Sequence, residues 1–329
     1  MASDTIPVID LGPYWSGDTA ARQRISEQVD WACENIGFLV ISNHGIPQSL
    51  IDQAFSVSRA FFDLPNEQKG RCKPANGVAP RGYHALATRN LARTLGQETP
   101  PDLREQFFVG PLTSRAGPAA STPGAAVFYS ENIWPEQPTA YREVFTEFYQ
   151  AMEVLAARLM RIFADALALP EGFFDDKIDD HFNTCPSNHY PVVNGDPLPG
   201  QIRCGAHTDF GSLTILAFND APGGLQVLMP DGAWLDMSAE PGQLVVNLGD
   251  MMQRWTNDRW KSTVHRVVNP PVELRGESRR QTIGYFLHPN YDAEITCLET
   301  CQGPDNPPKY PPIMAGVHMR EKMERRVDG

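Results

Sequence analysis

The chain has 329 residues, of which 41% are hydrophobic and 21% charged, so it can build a sizeable core and wholesale disorder is excluded. Its 28 Lys and Arg against 40 Asp and Glu leave a net charge of −12. That balance argues against nucleic acid and against anionic lipid as partners, since both need a basic face, and it says little about a small-molecule substrate.

In chain order, Met1 to Pro7 lacks the basic and apolar regions of a leader, and no apolar run approaches the ~20 residues that span a bilayer. Ile6 to Leu11 is a short apolar run closed by Gly12-Pro13 and predicts a strand. Ala20 to Ile36 carries Ile25, Val29, Ala32, Cys33 and Ile36 at helical spacing, with Gly37 at the C-cap. Phe38 to Ser42 reads as a buried strand, Asn43 to Pro47 as a turn, and Leu50 to Phe62 as a helix stopped by Leu64-Pro65. Lys73 to Gly124 is irregular and rich in Pro, Gly, Arg and Thr, the texture of lids and binding loops. Ala140 to Leu169 is the clearest helix, with an apolar stripe that belongs to the core. From Asn183 onward short β-type runs alternate with turn signals: 187–191, 204–207, 212–218, 224–228, 244–248, 263–268 and 281–287. This pattern predicts an antiparallel barrel or double-sheet jelly roll. The fold class expected is mainly β with supporting helices, an α-rich N-terminal region over residues 1–125 packed on a jelly-roll core over 126–329. The 29 Pro and 26 Gly spread along the chain agree with many short elements. Six cysteines show no C-x-x-C pair or zinc rhythm, so free thiols and a cytoplasmic location are expected.

Two constellations carry chemistry. His207 and Asp209 stand two apart in a β-like run, so an imidazole and a carboxylate share one face. His265, in a later β-like run, is the candidate third ligand; two His and one carboxylate form the facial set that leaves metal positions open for substrate and O2. Arg280 and Thr282 open the last strong strand on a common face with Phe286, a guanidinium beside a hydroxyl that suits a carboxylate. Arg275 and Arg279 read as surface charge.

The segments 207–216, 223–227, 245–250 and His265-Arg-Val267, with Ile6 to Leu11, Asn43 to Pro47 and Phe61 to Pro65, resemble the 2-oxoglutarate- and Fe(II)-dependent oxygenases, in the branch of isopenicillin N synthase and the plant hormone and flavonoid oxygenases. The resemblance spans nearly the whole chain. It implies a double-stranded β-helix with iron inside one end, held by His207, Asp209 and His265. It implies 2-oxoglutarate on Arg280 and Thr282, the family's Arg-x-Ser with Thr in place of Ser, and further co-substrate contacts at Asn188 and Tyr190. The activity implied is oxidation of an unactivated C–H bond of a small molecule by O2, giving succinate and CO2, in specialised metabolism. An oxidase that dispenses with 2-oxoglutarate, and a metal-binding jelly roll without turnover, are the rival readings. Candidate substrate contacts are Tyr83, His84, Arg104 and Phe107 in the irregular segment, with Phe218 and Phe286 near the metal strands. His44 is expected to brace its turn, and His189 to point away from Asn188 and Tyr190.

Overall fold

The computed structural model describes residues 5–324 apart from 76, 78, 114–120, 123, 193–194 and 220, and parts of the irregular segment therefore lie outside the described residues. The strands are β1 Val8–Asp10, β2 Phe38–Ser42, β3 Gly82–His84, β4 Glu105–Val109, β5 Cys185–Tyr190, β6 Cys204–His207 and β7 Leu213–Phe218. They continue as β8 Leu225–Leu228, β9 Trp234–Asp236, β10 Leu244–Leu248, β11 His265–Val267, β12 Arg280–Leu287, β13 Glu294–Ile295 and β14 Ile313–Met314. Eight of them form one sheet in the order β1-β2-β10-β7-β12-β5-β4-β3, and four form a second in the order β6-β11-β8-β9. Apart from the parallel β1–β2 pair, the ladders of both sheets are antiparallel. This is a jelly roll, as the alternation of short apolar runs and turns predicts.

The outer face of the larger sheet is covered by helices. Tyr141–Ala166 turns Phe145, Phe148, Met152, Leu155, Leu159 and Phe163 into the main core, and packs beside Thr19–Asn35 and Gln48–Phe62. Asp18 caps the first of these by accepting from the Ala20 amide. Gly37 ends it at φ +76°, where an added Cβ would lie 2.3 Å from the Lys261 carbonyl oxygen, so both dihedral and space require glycine. Along β12, Ile283, Tyr285 and Leu287 join this core, while Arg280, Thr282 and Phe286 face the other way, into the space between the sheets. Among the described residues no helix is long and apolar enough to cross a membrane. All six cysteines are free.

One expectation needs correction. The segment 73–124 is not simply irregular, because it contributes β3 and β4, which extend the larger sheet beyond β5. Pattern reading misses β4 because Glu105 and Gln106 are polar yet buried. The Glu105 carboxylate accepts from Lys69 Nζ (2.8 Å), the Tyr83 hydroxyl (2.5 Å) and His189 Nδ1 (2.8 Å). Arg279 Nε donates to His189 Nε2 at 2.8 Å, which fixes the ring proton on Nδ1. Burial lowers the His189 pKa, in keeping with a neutral ring. Burial works against the Glu105 carboxylate, but the bonds from His189, Lys69 and Tyr83 outweigh it and hold its pKa below the ordinary value.

A carboxyl whose pKa is depressed on folding contributes stability above its unfolded pKa and loses it as pH falls through the folded one. Acidification below about pH 4.3 is therefore expected to erode the melting-temperature advantage of the wild type over Glu105→Gln. Melting curves of both proteins across that range check it; a gap independent of pH would show that Glu105 contributes no charge-linked stability.

Candidate metal centre and adjoining cavity

β6 and β11 pair so that His207 and His265 are direct cross-strand partners. Asp209 follows β6 and is bridged to Gly249, just after β10. Ligand atoms of the three residues all lie within 4.8 Å of one another, and all three side chains are buried. His207 Nε2 and His265 Nε2 are each 3.8 Å from Asp209 Oδ1.

The surrounding bonds aim these atoms. His207 Nδ1 lies 2.8 Å from the Gly205 carbonyl oxygen and His265 Nδ1 lies 3.1 Å from that of Thr263. A carbonyl only accepts, so each Nδ1 carries a proton, and Nε2 is the ring nitrogen left facing Asp209 and able to offer a lone pair to a metal. Asp209 Oδ2 accepts from Thr214 Oγ1 (2.5 Å) and Asn247 Nδ2 (2.7 Å), which leaves Oδ1 facing the two rings. Two imidazoles and one carboxylate, each oriented by an outer partner, fit a divalent first-row metal with open positions.

The Asp209 loop is clamped from β10. Asp250 N donates to Asp209 O at 2.8 Å and Gly249 N to Ser212 O at 3.0 Å. A Cβ on Gly249 would sit 2.3 Å from the Gly211 oxygen and 3.0 Å from the Asp209 oxygen. Gly249→Ala is expected to spread this contact, costing ~1–3 kcal/mol of stability by overpacking, and to weaken metal binding. Thermal melts and an Fe(II) titration test it, and a variant unchanged in both would mean that the loop is not held here.

On the larger sheet, register sets Arg280 opposite Tyr190 and Thr282 opposite Asn188. Asn188 Nδ2 donates to Thr282 Oγ1 (2.9 Å), and Gln106 Nε2 donates to Asn188 Oδ1 (2.7 Å). The Arg280 guanidinium is buried, lies over the Phe218 ring at 4.9 Å and donates to the Asn219 carbonyl at 3.1 Å. Arg275 instead bonds Asp196 at the surface, and Arg279 pairs with Asp63 and His189. Arg203 was not singled out by sequence. It is fully buried, and donates to the carbonyls of Pro222 (2.7 Å), Gly223 (2.8 Å) and Ser278. Burial, then the charge of Arg280, push its pKa down to about 10.

A cavity of about 110 Å³ adjoins the metal residues. Six residues of the 73–124 segment line it: Pro80, Arg89, Leu91, Arg104, Gln106 and Phe108. Phe286 lines it too. Arg104 is held by Asp102 at 3.3 Å. The expectation for Tyr83 and Phe107 is corrected, because both point into the helix-covered core, where Phe61 packs on each. Alternation along β4 sends Gln106 and Phe108 to the cavity and Phe107 to the core. His84 stands behind the wall, against Phe108 and Arg89, and Phe218 sits beneath Arg280. Neither is among the lining residues.

Sequence reading missed Phe182, His288, Met319 and Met323, which also line the cavity. His288 was within reach, standing two residues after Phe286 on the same side of the chain. Burial pushes its pKa down to about 3, so the ring is neutral. Met319 and Met323 come from helix Ala315–Glu324, where their i, i+4 spacing is common to many helices.

The 2OG-Fe(II) oxygenase superfamily matches residues 182–289, and the non-haem dioxygenase in morphine synthesis N-terminal family matches residues 6–137. The chain is 36% identical over 318 residues to the 2-oxoglutarate-Fe(II) type oxidoreductase hxnY of Emericella nidulans, covering 95% of this chain and 88% of that protein. It is 32% identical to the validamycin A dioxygenase of Streptomyces hygroscopicus subsp. limoneus, over 89% of this chain and 80% of the other. Among solved structures, a full-length Neurospora crassa protein in complex with alpha-KG and thymine superposes with a TM-score of 0.82 at 30% identity, covering 97% of this chain and 96% of that one.

Proposed function

From the premise that the chain belongs to the 2OG-Fe(II) oxygenase superfamily, we propose that His207, Asp209 and His265 hold Fe(II), and that Arg280 and Thr282, steadied by Asn188 and Tyr190, hold 2-oxoglutarate. The protein is a 2-oxoglutarate-dependent dioxygenase that uses Fe(II), 2-oxoglutarate and O2. The observation that carries the residue assignment is the convergence of two imidazole Nε2 atoms and one carboxylate oxygen. Iron with its co-substrates supplies the oxidation of an unactivated C–H bond, coupled to decarboxylation of 2-oxoglutarate to succinate and CO2.

The chain's own residues do the rest. Gly205 and Thr263 carbonyls keep the imidazoles in the tautomer that binds metal, and Thr214 and Asn247 keep one carboxylate oxygen turned inward. The Arg280 guanidinium and the Thr282 hydroxyl meet the distal carboxylate of 2-oxoglutarate, and the Gln106–Asn188–Thr282 chain of bonds orients that hydroxyl. Phe286, Phe182 and the C-terminal methionines line the cavity in which the substrate C–H bond is held away from water.

The 1–125 and 126–329 division is kept as an architectural one, supported by N-terminal strands that pair onto the core, β2 on β10 and β4 on β5. Six free thiols support a reducing, cytoplasmic setting. Anaerobic addition of Fe(II) and then 2-oxoglutarate, followed by O2 and assay of succinate, tests the assignment. Tight Fe(II) binding that leaves 2-oxoglutarate unbound would favour the oxidase reading instead.

A further inference from the structure

Arg203 stands immediately before β6, the strand that ends in His207. Its guanidinium ties together two other segments. Nη1 donates to the carbonyls of Pro222 (2.7 Å) and Gly223 (2.8 Å) in the turn after β7, and Nη2 donates to the Ser278 carbonyl, two residues before Arg280. The side chain is fully buried, and among the described residues no carboxylate pairs with it. A buried charge held by neutral carbonyls keeps much of its desolvation penalty, so this arrangement is a poor source of stability.

The segments it ties are the ones that set Arg280. Asn219, where the turn begins, accepts from Arg280 Nη1 on its carbonyl (3.1 Å) and from the Gln281 amide on its side chain (2.6 Å). Pro222 and Gly223 close that turn, and Ser278 leads into β12. The turn has no slack: Gly223 sits at φ +73°, and an added Cβ would stand 2.5 Å from Pro270 N and 2.9 Å from Arg203 Nη1. Arg203 also lies over the ring of Tyr190 at 5.8 Å, and Tyr190 is the cross-strand partner of Arg280. The planar fork lets one side chain serve both segments at fixed angles, which an ammonium cannot do.

We propose that Arg203 is a positioning residue for the co-substrate: it locks the turn after β7 to the start of β12, and so holds the Arg280 guanidinium where the distal carboxylate of 2-oxoglutarate docks, without touching the co-substrate itself. This rests on the assignment of 2-oxoglutarate to Arg280 and Thr282.

The full chain, loaded anaerobically with Fe(II), is titrated by calorimetry with 2-oxoglutarate and with 2-oxopentanoate, which keeps the keto acid and the chain length and lacks the distal carboxylate. The wild type tests the underlying assignment separately: equal affinity for the two would remove the distal carboxylate from Arg280, whatever Arg203 does. In Arg203→Gln, 2-oxoglutarate is expected to bind about tenfold weaker, while 2-oxopentanoate and Fe(II) change by less than about twofold. Adding Arg203→Gln to Arg280→Ala is expected to weaken 2-oxoglutarate by no more than about twofold beyond Arg280→Ala alone, because the first residue acts through the second. Arg203→Lys keeps the charge and donors without the fork. It carries the test should the glutamine variant fail to fold, with 2-oxoglutarate expected about threefold or more weaker and 2-oxopentanoate unchanged. Wild-type affinity for 2-oxoglutarate in either folded variant would overturn the proposal. So would equal weakening of both keto acids, which would make Arg203 a support of the barrel as a whole, or losses that add in the double variant, which would give it a contact of its own.

Discussion

Asp209→Ala is expected to abolish succinate formation and to leave the protein unable to retain Fe(II). The carboxylate is the sole oxygen donor of the trio, and its Oδ1 stands 3.8 Å from both inward imidazole nitrogens. Alanine would leave two nitrogen donors, and strand the Thr214 hydroxyl and the Asn247 amide without the acceptor that now orients them. His207→Ala and His265→Ala are expected to do the same, since each removes a ligand held by its own carbonyl partner. A purely structural cluster predicts the reverse pattern, lowered stability with turnover retained. Iron content, succinate yield and melting temperature, measured together on the three variants, separate the two. Asn247→Ala provides the graded case. Losing an outer partner of a metal ligand typically costs 10–100-fold in metal affinity, so its Fe(II) titration is expected to shift by roughly that factor while the fold persists. Near-normal turnover in any of the three ligand variants would remove that residue from the site.

The meeting of His207 and Asp209 was legible because they stand two residues apart in a β-like run, although Asp209 lies just past the end of β6 and is held there by its bridge to Gly249. The third needed long-range information. That His265 lies directly across from His207 is a property of the β6–β11 register, which no local pattern contains. Long apolar elements were equally legible: Phe38 to Ser42, Leu244 to Leu248 and the helix around Met152 were read nearly to the residue. The cavity wall was not. β4 hides a buried carboxylate, so its alternation could not be seen, and without a strand there was no parity to send Phe107 to the core and Phe108 to the cavity. Met319 and Met323 reach the cavity from a helix more than 100 residues beyond Asp209, on a surface-like pattern with two methionines. A residue such as Arg203, buried in a cage of three carbonyls, leaves no mark in sequence that separates it from a surface arginine.

Arg280→Ala is expected to raise the requirement for 2-oxoglutarate far more than that for the prime substrate. The guanidinium is buried beside Thr282 and lies over Phe218, so a carboxylate docked on it is shielded from water. Truncating one partner of a buried, hydrogen-bonded charge pair costs ~2–5 kcal/mol, about thirtyfold to several thousandfold in affinity. Arg203 is close enough for its charge to be felt at Arg280, yet its three carbonyl bonds hold it in place and keep it from swinging across as a replacement. Arg280→Lys retains the charge without the planar fork and is expected to fall between alanine and wild type. Arg275→Ala and Arg279→Ala are the controls: the first loses a surface pair with Asp196, and the second loses bonds to Asp63 and His189 on the opposite face of the sheet. Direct 2-oxoglutarate binding to the Fe(II)-loaded protein, with succinate formation as a second readout, measures all four variants. An effect that appears in Arg279→Ala and not in Arg280→Ala would move the co-substrate to the other side of β12. Equal losses for 2-oxoglutarate and prime substrate would mean that Arg280 shapes the barrel as a whole and does not select the co-substrate.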